Sequence, residues 1–129
     1  MRAKGFMVAL ILVFSISVPL FAHHGGAVFD TGKIVVLKGT VVKWIYASPH
    51  LLLTLEVKGD NGEAVQWIVE NQSPTVMYPF GWRKDSFKPG DQVTVRVRPV
   101  KNGRPVGSII DAVTADGTKL EHLPLANSR

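Results

Sequence analysis

The sequence predicts an all-β protein, a closed barrel of five short strands with one short helix between the third and fourth. Three observations carry this prediction. Segments rich in Val, Ile, Leu, Thr and aromatics alternate apolar with polar residues, the period of a half-buried strand. Turns built on glycine separate these segments. A Ser-Pro pair then interrupts the strand pattern once, as a helix start does.

The first strand runs from Lys33 to Tyr46, long enough to bend, and Gly39 is its expected bend because a glycine inside a strand marks a bulge or a close approach. Val35 and Leu37 share one face before Gly39; after a phase shift, Val42 and Trp44 are expected to take over that face. Ser48-Pro49 makes a corner. In the second strand Leu51, Leu53, Leu55 and Val57 form one face, and His50, Thr54, Glu56 and Lys58 the other. Gly59-Asp60-Asn61-Gly62 is a hairpin signal, and the third strand sets Val65, Trp67 and Val69 against Gln66, Ile68 and Glu70.

Ser73 is a good N-cap and Pro74 a good first helical residue. Val76, Met77 and Phe80 can pack inward and Gly81 can close the segment, while Pro79 restricts it to a short or distorted helix. Lys88-Pro89-Gly90-Asp91 turns the chain into a fourth strand, where Val93, Val95 and Val97 alternate with Thr94, Arg96 and Arg98. Asn102-Gly103 supplies a second hairpin, a fifth strand runs from about Val106 to Thr114, and Asp116-Gly117 is the last turn. The tail after Leu120 reads as polar and loose. Five strands in this order, the first long and bent, define an OB-like barrel; an open sandwich of similar strands is the alternative. Closure would hide strand edges, which suits a small domain with no cysteine for a disulfide.

The N-terminus is of a different character. Arg2 and Lys4 precede an uncharged stretch from Gly5 to Leu20; Pro19 ends it, and Ala22 offers the small residue of a cleavage site. This is the pattern of a secretory signal peptide, 1–22, shorter than the roughly 20 apolar residues of a membrane anchor. Cleavage after Ala22 leaves 107 of the 129 residues: an arm over 23–32, the barrel over 33–120 and a tail over 121–129. With Arg2 and Lys4 gone, 13 basic residues face 10 acidic ones, and a charge of +3 points to solubility, not to a nucleic-acid partner. The expected location is periplasmic or secreted, with no stable membrane span after cleavage.

Several short motifs fall together along this frame: Ala22-His23-His24-Gly25 with Phe29-Asp30, then Leu37-Lys38-Gly39-Thr40-Val41, Ser48-Pro49-His50, Ser73-Pro74, Gly81-Trp82, and Phe87 before Lys88-Pro89-Gly90-Asp91. Together they resemble a bacterial exported family known as domain of unknown function 6152, over almost the whole mature chain. The resemblance implies a small periplasmic β-barrel and carries no activity with it. This chain has Ser48 where members commonly have Asn, and Pro79 where they tend to have a better helix former.

Chemistry is sparse. Cleavage after Ala22 would free the amine of His23, next to His24, and an amine with imidazole and backbone nitrogen makes a tetragonal site that favours copper(II) or nickel(II). His50 at the start of the second strand could complete a metal set of His23, His24 and His50; the plainer reading leaves all three as surface or corner residues. Trp44, Tyr46, Trp67 and Trp82 could stack on a ligand, though Trp67 as core and Trp82 as packing under the helix end is the simpler account. Arg96, Arg98, Lys101 and Arg104 crowd the fourth strand and its hairpin, either to hold an anion or as a solvated charged edge. The candidate ligand surface is therefore Trp44, Tyr46, Arg96 and Arg98.

Glu56, Glu70, Asp85, Asp91 and Asp111 are scattered, and no nucleophile elbow, phosphate loop or zinc-hydrolase helix occurs. The sequence thus favours a non-catalytic binding or interaction module for an unknown periplasmic protein or small ligand. A copper(II)-binding protein is the alternative, and no other cofactor is indicated.

Overall fold

The structure is a computed structural model and describes residues 28–122. Among these, six strands form one sheet: β1 (Val35–Ile45), β2 (Leu51–Lys58), β3 (Ala64–Asn71), β4 (Gln92–Pro99), β5 (Val106–Val113) and β6 (Lys119–Glu121). β1, β2 and β3 form an antiparallel meander, β4 pairs with the other side of β1, and β5 pairs with β4. A short parallel pairing, Ile68–Val106 to Glu70–Ser108, joins β3 to β5 and closes the cylinder. The cyclic order is β1-β2-β3-β5-β4, that of an OB-type barrel. β6 is an addition to the expected five, laid antiparallel along β5.

β1 serves two neighbours at once, and this explains its shape. Val35 to Thr40 pairs with β4, while Gly39 to Ile45 pairs with β2. Where the two pairings overlap, the strand curls tightly over β2: a Cβ on Gly39 would lie 2.6 Å from the Glu56 carbonyl oxygen. Gly39 is therefore a close approach, and the phase shift expected there falls further on, at a β-bulge between Val41 and Lys43. As a result Val41 is buried and Val42 is 39% exposed, the reverse of the expected facing of Val42. Trp44 then returns to the inner side and packs against the core.

The other strands follow their alternation. Leu51, Leu53 and Leu55 of β2, Val69 of β3, and Val93, Val95 and Val97 of β4 are buried, and Ile109 and Ala112 complete the wall from β5. These last two are three residues apart because β5 carries an extra residue where its register to β4 shifts. That irregularity sets Asp111 opposite Arg96 and buries it, with the Arg96 Nε donating to both carboxylate oxygens at 2.8 and 3.0 Å and Nη2 adding a third bond, to Oδ2.

Between β3 and β4 lies the helix the Ser-Pro pair predicts: α1 (Pro74–Met77), with Ser73 as N-cap and Pro74 in its first turn. Pro79 cannot donate to an α-helical ladder, and the chain tightens at Tyr78–Phe80 into a 3-10 turn. Gly81, at φ 91°, closes it in the left-handed region. Met77 is fully buried, and Trp82 and Phe87 follow it into the same core.

Glu121 and His122, the first residues of the expected loose tail, are held to the barrel, and residues 123–129 lie outside the described residues. Leu120 is 4% exposed in β6, and the His122 N–H donates to the Ile110 carbonyl at 2.9 Å. At the other end the described part of the arm is attached too: Phe29 bridges Val100, and the Asp30 N–H donates to the Pro99 carbonyl at 2.8 Å. Among the described residues, no helix is long and apolar enough to cross a membrane. The segment 1–22, expected to be a signal peptide, lies outside them.

Candidate functional site

Two places on the barrel gather polar or aromatic side chains beyond what packing needs. The first lies where the bulge lifts the end of β1 away from β4. Segment 81–91 covers this stretch: the Val41 N–H donates to the Asp91 carbonyl and the Gly90 N–H to the Val41 carbonyl, each at 2.8 Å. Trp44 Nε1 donates to the Arg83 carbonyl at 3.2 Å, and the Tyr46 hydroxyl donates to the Trp82 carbonyl at 3.1 Å. The indole N–H of the buried Trp82 donates in turn to the Glu121 carbonyl at 2.7 Å, so one side chain ties the segment to β6.

The rings form a continuous cluster. Trp44 meets Phe87 edge-on with centroids 4.8 Å apart, and lies 6.1 Å from Tyr46 and 6.3 Å from Trp82. Tilted and edge-to-face contacts of this kind are the favoured aromatic geometries. Arg83 folds back over the exposed Tyr78, its guanidinium 3.6 Å from the ring centroid, and Nη1 donates to the Trp82 carbonyl at 3.0 Å. Outside the cluster lies an open cleft of about 270 Å³, lined by Val42, Lys43, Trp44, Tyr46, Lys84, Phe87 and Pro89. Its chemistry is aromatic floor and two lysines.

A second hollow of about 380 Å³ lies on the other side of the same segment and mixes charges, with Asp85, Asp91 and Asp116 beside Arg83 and Lys88. Hydrogen bonds from Thr114 and Thr118 pull Asp116 down to about 2. That carboxylate is already engaged in holding its own turn.

The second gathering is at one end of the barrel, around Asn71. Asn71 closes β3, is 3% exposed, and pairs across the sheet with Leu51. Its backbone carbonyl lies 3.1 Å from His50 Nδ1, and its side-chain Oδ1 lies 2.9 Å from His122 Nδ1. The chemistry of the partners assigns the protons. A carbonyl oxygen only accepts, so His50 carries its proton on Nδ1. Asn71 Oδ1 also accepts from the Gln72 N–H at 2.8 Å, which fixes the amide's orientation, and His122 must likewise donate through Nδ1–H. In the neutral form of either ring, Nε2 is therefore the basic nitrogen. Burial, and then the nearby charge of Arg98, lowers the His122 pKa and favours the neutral form.

Asn71 Nδ2 is buried and has no hydrogen-bond partner among the described residues. An unsatisfied buried amide donor costs about 1–3 kcal/mol, so the amide orientation that serves His122 and the Gln72 N–H is held against a local penalty.

The expected site residues divide between these places. Trp44 and Tyr46 stand together at the aromatic cleft. Arg96 is turned to Asp111, and Arg98 lies near His122; the lysines at the cleft are Lys43 and Lys84. Trp82 is fully buried and Trp67 partly so, both packing with the core. His50 is partly buried beside Asn71, while His23 and His24 lie outside the described residues. Among the described residues no three His, Cys, Asp or Glu side chains converge as a metal-binding group. Sequence reading missed His122 and Asn71. Leu120 was the available signal: an apolar residue two positions before His122, just beyond a glycine turn, reads as one more short strand.

The class these features define is a closed OB-type barrel with an aromatic cleft beside its bulged first strand. The chain belongs to the family of unknown function DUF6152, whose model matches residues 10–109. No curated protein and no solved structure matches it.

Proposed function

We propose that this chain is an exported, periplasmic binding module without chemistry of its own, which holds a small aromatic or apolar anion in the cleft beside Trp44. The cleft carries the reading: the partly exposed rings of Trp44 and Tyr46 lie over the buried Phe87, and Lys43 and Lys84 line the cleft with no carboxylate beside them. Segment 81–91 and the bulge hold this surface open, and its shape comes from backbone hydrogen bonds within a packed scaffold. The signal-peptide pattern of 1–22 supports the compartment.

Anilinonaphthalene sulfonate, an aromatic anion, tests the reading against phenylnaphthylamine, a closely related uncharged compound. The expected result is saturable binding of the sulfonate, weakened about tenfold by the double charge reversal Lys43→Glu with Lys84→Glu, which corresponds to about 1.4 kcal/mol. The uncharged compound should bind both proteins alike. Equal sulfonate binding by the two proteins, or none by the wild type, rejects the cleft as the site.

A second reading, copper(II) binding by the His23 amine, His24 and His50, gains support from the His50 tautomer, since Nε2 is the ring nitrogen suited to a metal. Copper(II) titration with electron paramagnetic resonance distinguishes a chain beginning at His23 from one with an extra residue ahead of it. Nitrogen-rich binding only by the former is expected on this reading; equal spectra reject it.

A further inference from the structure

We infer that His50 and His122 form a two-imidazole site at the Asn71 end of the barrel for a late first-row divalent cation of the zinc(II) or copper(II) class. This inference shares His50 with the copper reading above but needs neither His23 nor His24.

The geometry points to a metal through the far side of each ring. An imidazole that ligates through one nitrogen characteristically donates its other N–H to a carbonyl or carboxylate, which fixes the ring's orientation and raises its basicity. Here both rings do so to the same residue: His50 Nδ1–H to the Asn71 backbone oxygen at 3.1 Å, and His122 Nδ1–H to its Oδ1 at 2.9 Å. One side of the barrel supplies His50 ahead of β2 and Asn71 at the end of β3; β6 carries His122 in from the far end of the sequence. Asn71 thus acts as a common outer partner, and both Nε2 atoms belong to the tautomer a metal takes. Imidazole nitrogen suits zinc, copper and nickel, whereas calcium and magnesium prefer oxygen.

The Asn71 amide adds an independent observation. Its Oδ1 accepts from His122 and Gln72 while its buried Nδ2 has no partner among the described residues. The side chain is set for orienting a ring and not for satisfying itself. Arg98 acts in the opposite sense: its charge lies near enough to His122 to disfavour a second positive charge there. Neutralising Arg98 should therefore tighten the site, a response that a merely structural histidine pair would not give.

Zinc(II) titration of the full chain, in mild detergent, tests this with long-range proton–nitrogen correlation spectra of the imidazole rings. In the full chain His23 is amide-linked to Ala22 and has no free amine, so the amine-dependent copper site is absent. The expected result is that Nε2 of both His50 and His122 shifts with added zinc while both Nδ1 atoms stay protonated. His50→Gln and His122→Gln should each weaken binding at least about tenfold, and Arg98→Gln should strengthen it. Spectra in which neither ring responds, or only His23 and His24 do, overturn the site without rejecting the amine-dependent reading. The wild-type spectra decide the matter even if a histidine variant fails to fold.

Discussion

Gly39→Ala is the sharpest test of how the barrel closes. Gly39 pairs with Val57 on one side and Val93 on the other, at the point where β1 passes from β4 to β2. A Cβ there would lie 2.6 Å from the Glu56 oxygen, 3.3 Å from the Glu56 carbonyl carbon and 2.9 Å from a Val57 methyl. The methyl could rotate away, but the carbonyl belongs to a strand paired on both edges and can move only with the sheet. Overpacking a well-packed interior costs about 1–3 kcal/mol, and a backbone obstacle places this change at about 3. For a domain of this size that lowers the melting temperature by about 12–24 °C. Urea unfolding of the variant beside Gly32→Ala gives the comparison, since a Cβ on Gly32 meets only an Asp30 carboxylate oxygen, at 3.5 Å. Gly39→Ala within about 0.5 kcal/mol of Gly32→Ala would refute the reasoning and show that β1 has slack at its curl.

Two further perturbations follow from the same irregularities. Val41→Ala should cost about 2 kcal/mol because its side chain is 2% exposed, while Val42→Ala, one residue along at 39% exposed, should cost less than about 0.5; similar losses in thermal melts would remove the bulge as the origin of the facing. Asp111→Asn should destabilise by about 1–2 kcal/mol at neutral pH, reduced from the cost of a fully buried pair because the Arg96 side chain is half exposed. The Arg96 hydrogen bond lowers the Asp111 pKa below its ordinary 3.8, so the carboxylate's contribution is complete above that value and lost as pH falls through the folded pKa. The gap between wild type and variant in urea midpoints should thus be constant at neutral pH and shrink only in strong acid; a gap closing near pH 6 would contradict the pairing.

The contrast between Val41 and Val42 shows where local pattern stops being informative. Alternation in β2 and β4 reads directly as burial, because each strand has one face in and one out and no irregularity to shift the phase. β1 carries the same residue types, yet nothing local tells which residue takes up the bulge. That position is settled by β2 and β4, which claim overlapping lengths of one strand. β5 repeats the lesson: its extra residue sets Asp111 facing Arg96, a pairing that residue types alone do not disclose. The candidate sites were legible to the same limited degree. Trp44 and Tyr46 stand out as aromatics at a strand end with Lys43 beside them, but Lys84 becomes their neighbour only because segment 81–91 lies over the bulge.

By itself, the sequence determined the strand alternation, the turns at Gly62, Gly103 and Gly117, the Ser73-Pro74 helix start and the Gly81 stop, because these depend on side-chain period and on φ values glycine reaches without penalty. The tertiary structure alone decided which ends of the chain meet. Phe29 reaches Val100, Trp82 reaches Glu121, and His122 comes to Asn71, which lies 51 positions earlier. Contacts at such separations are chosen by how strands close into a cylinder and by which buried polar groups then need partners, and neither is a property of any short stretch of residues.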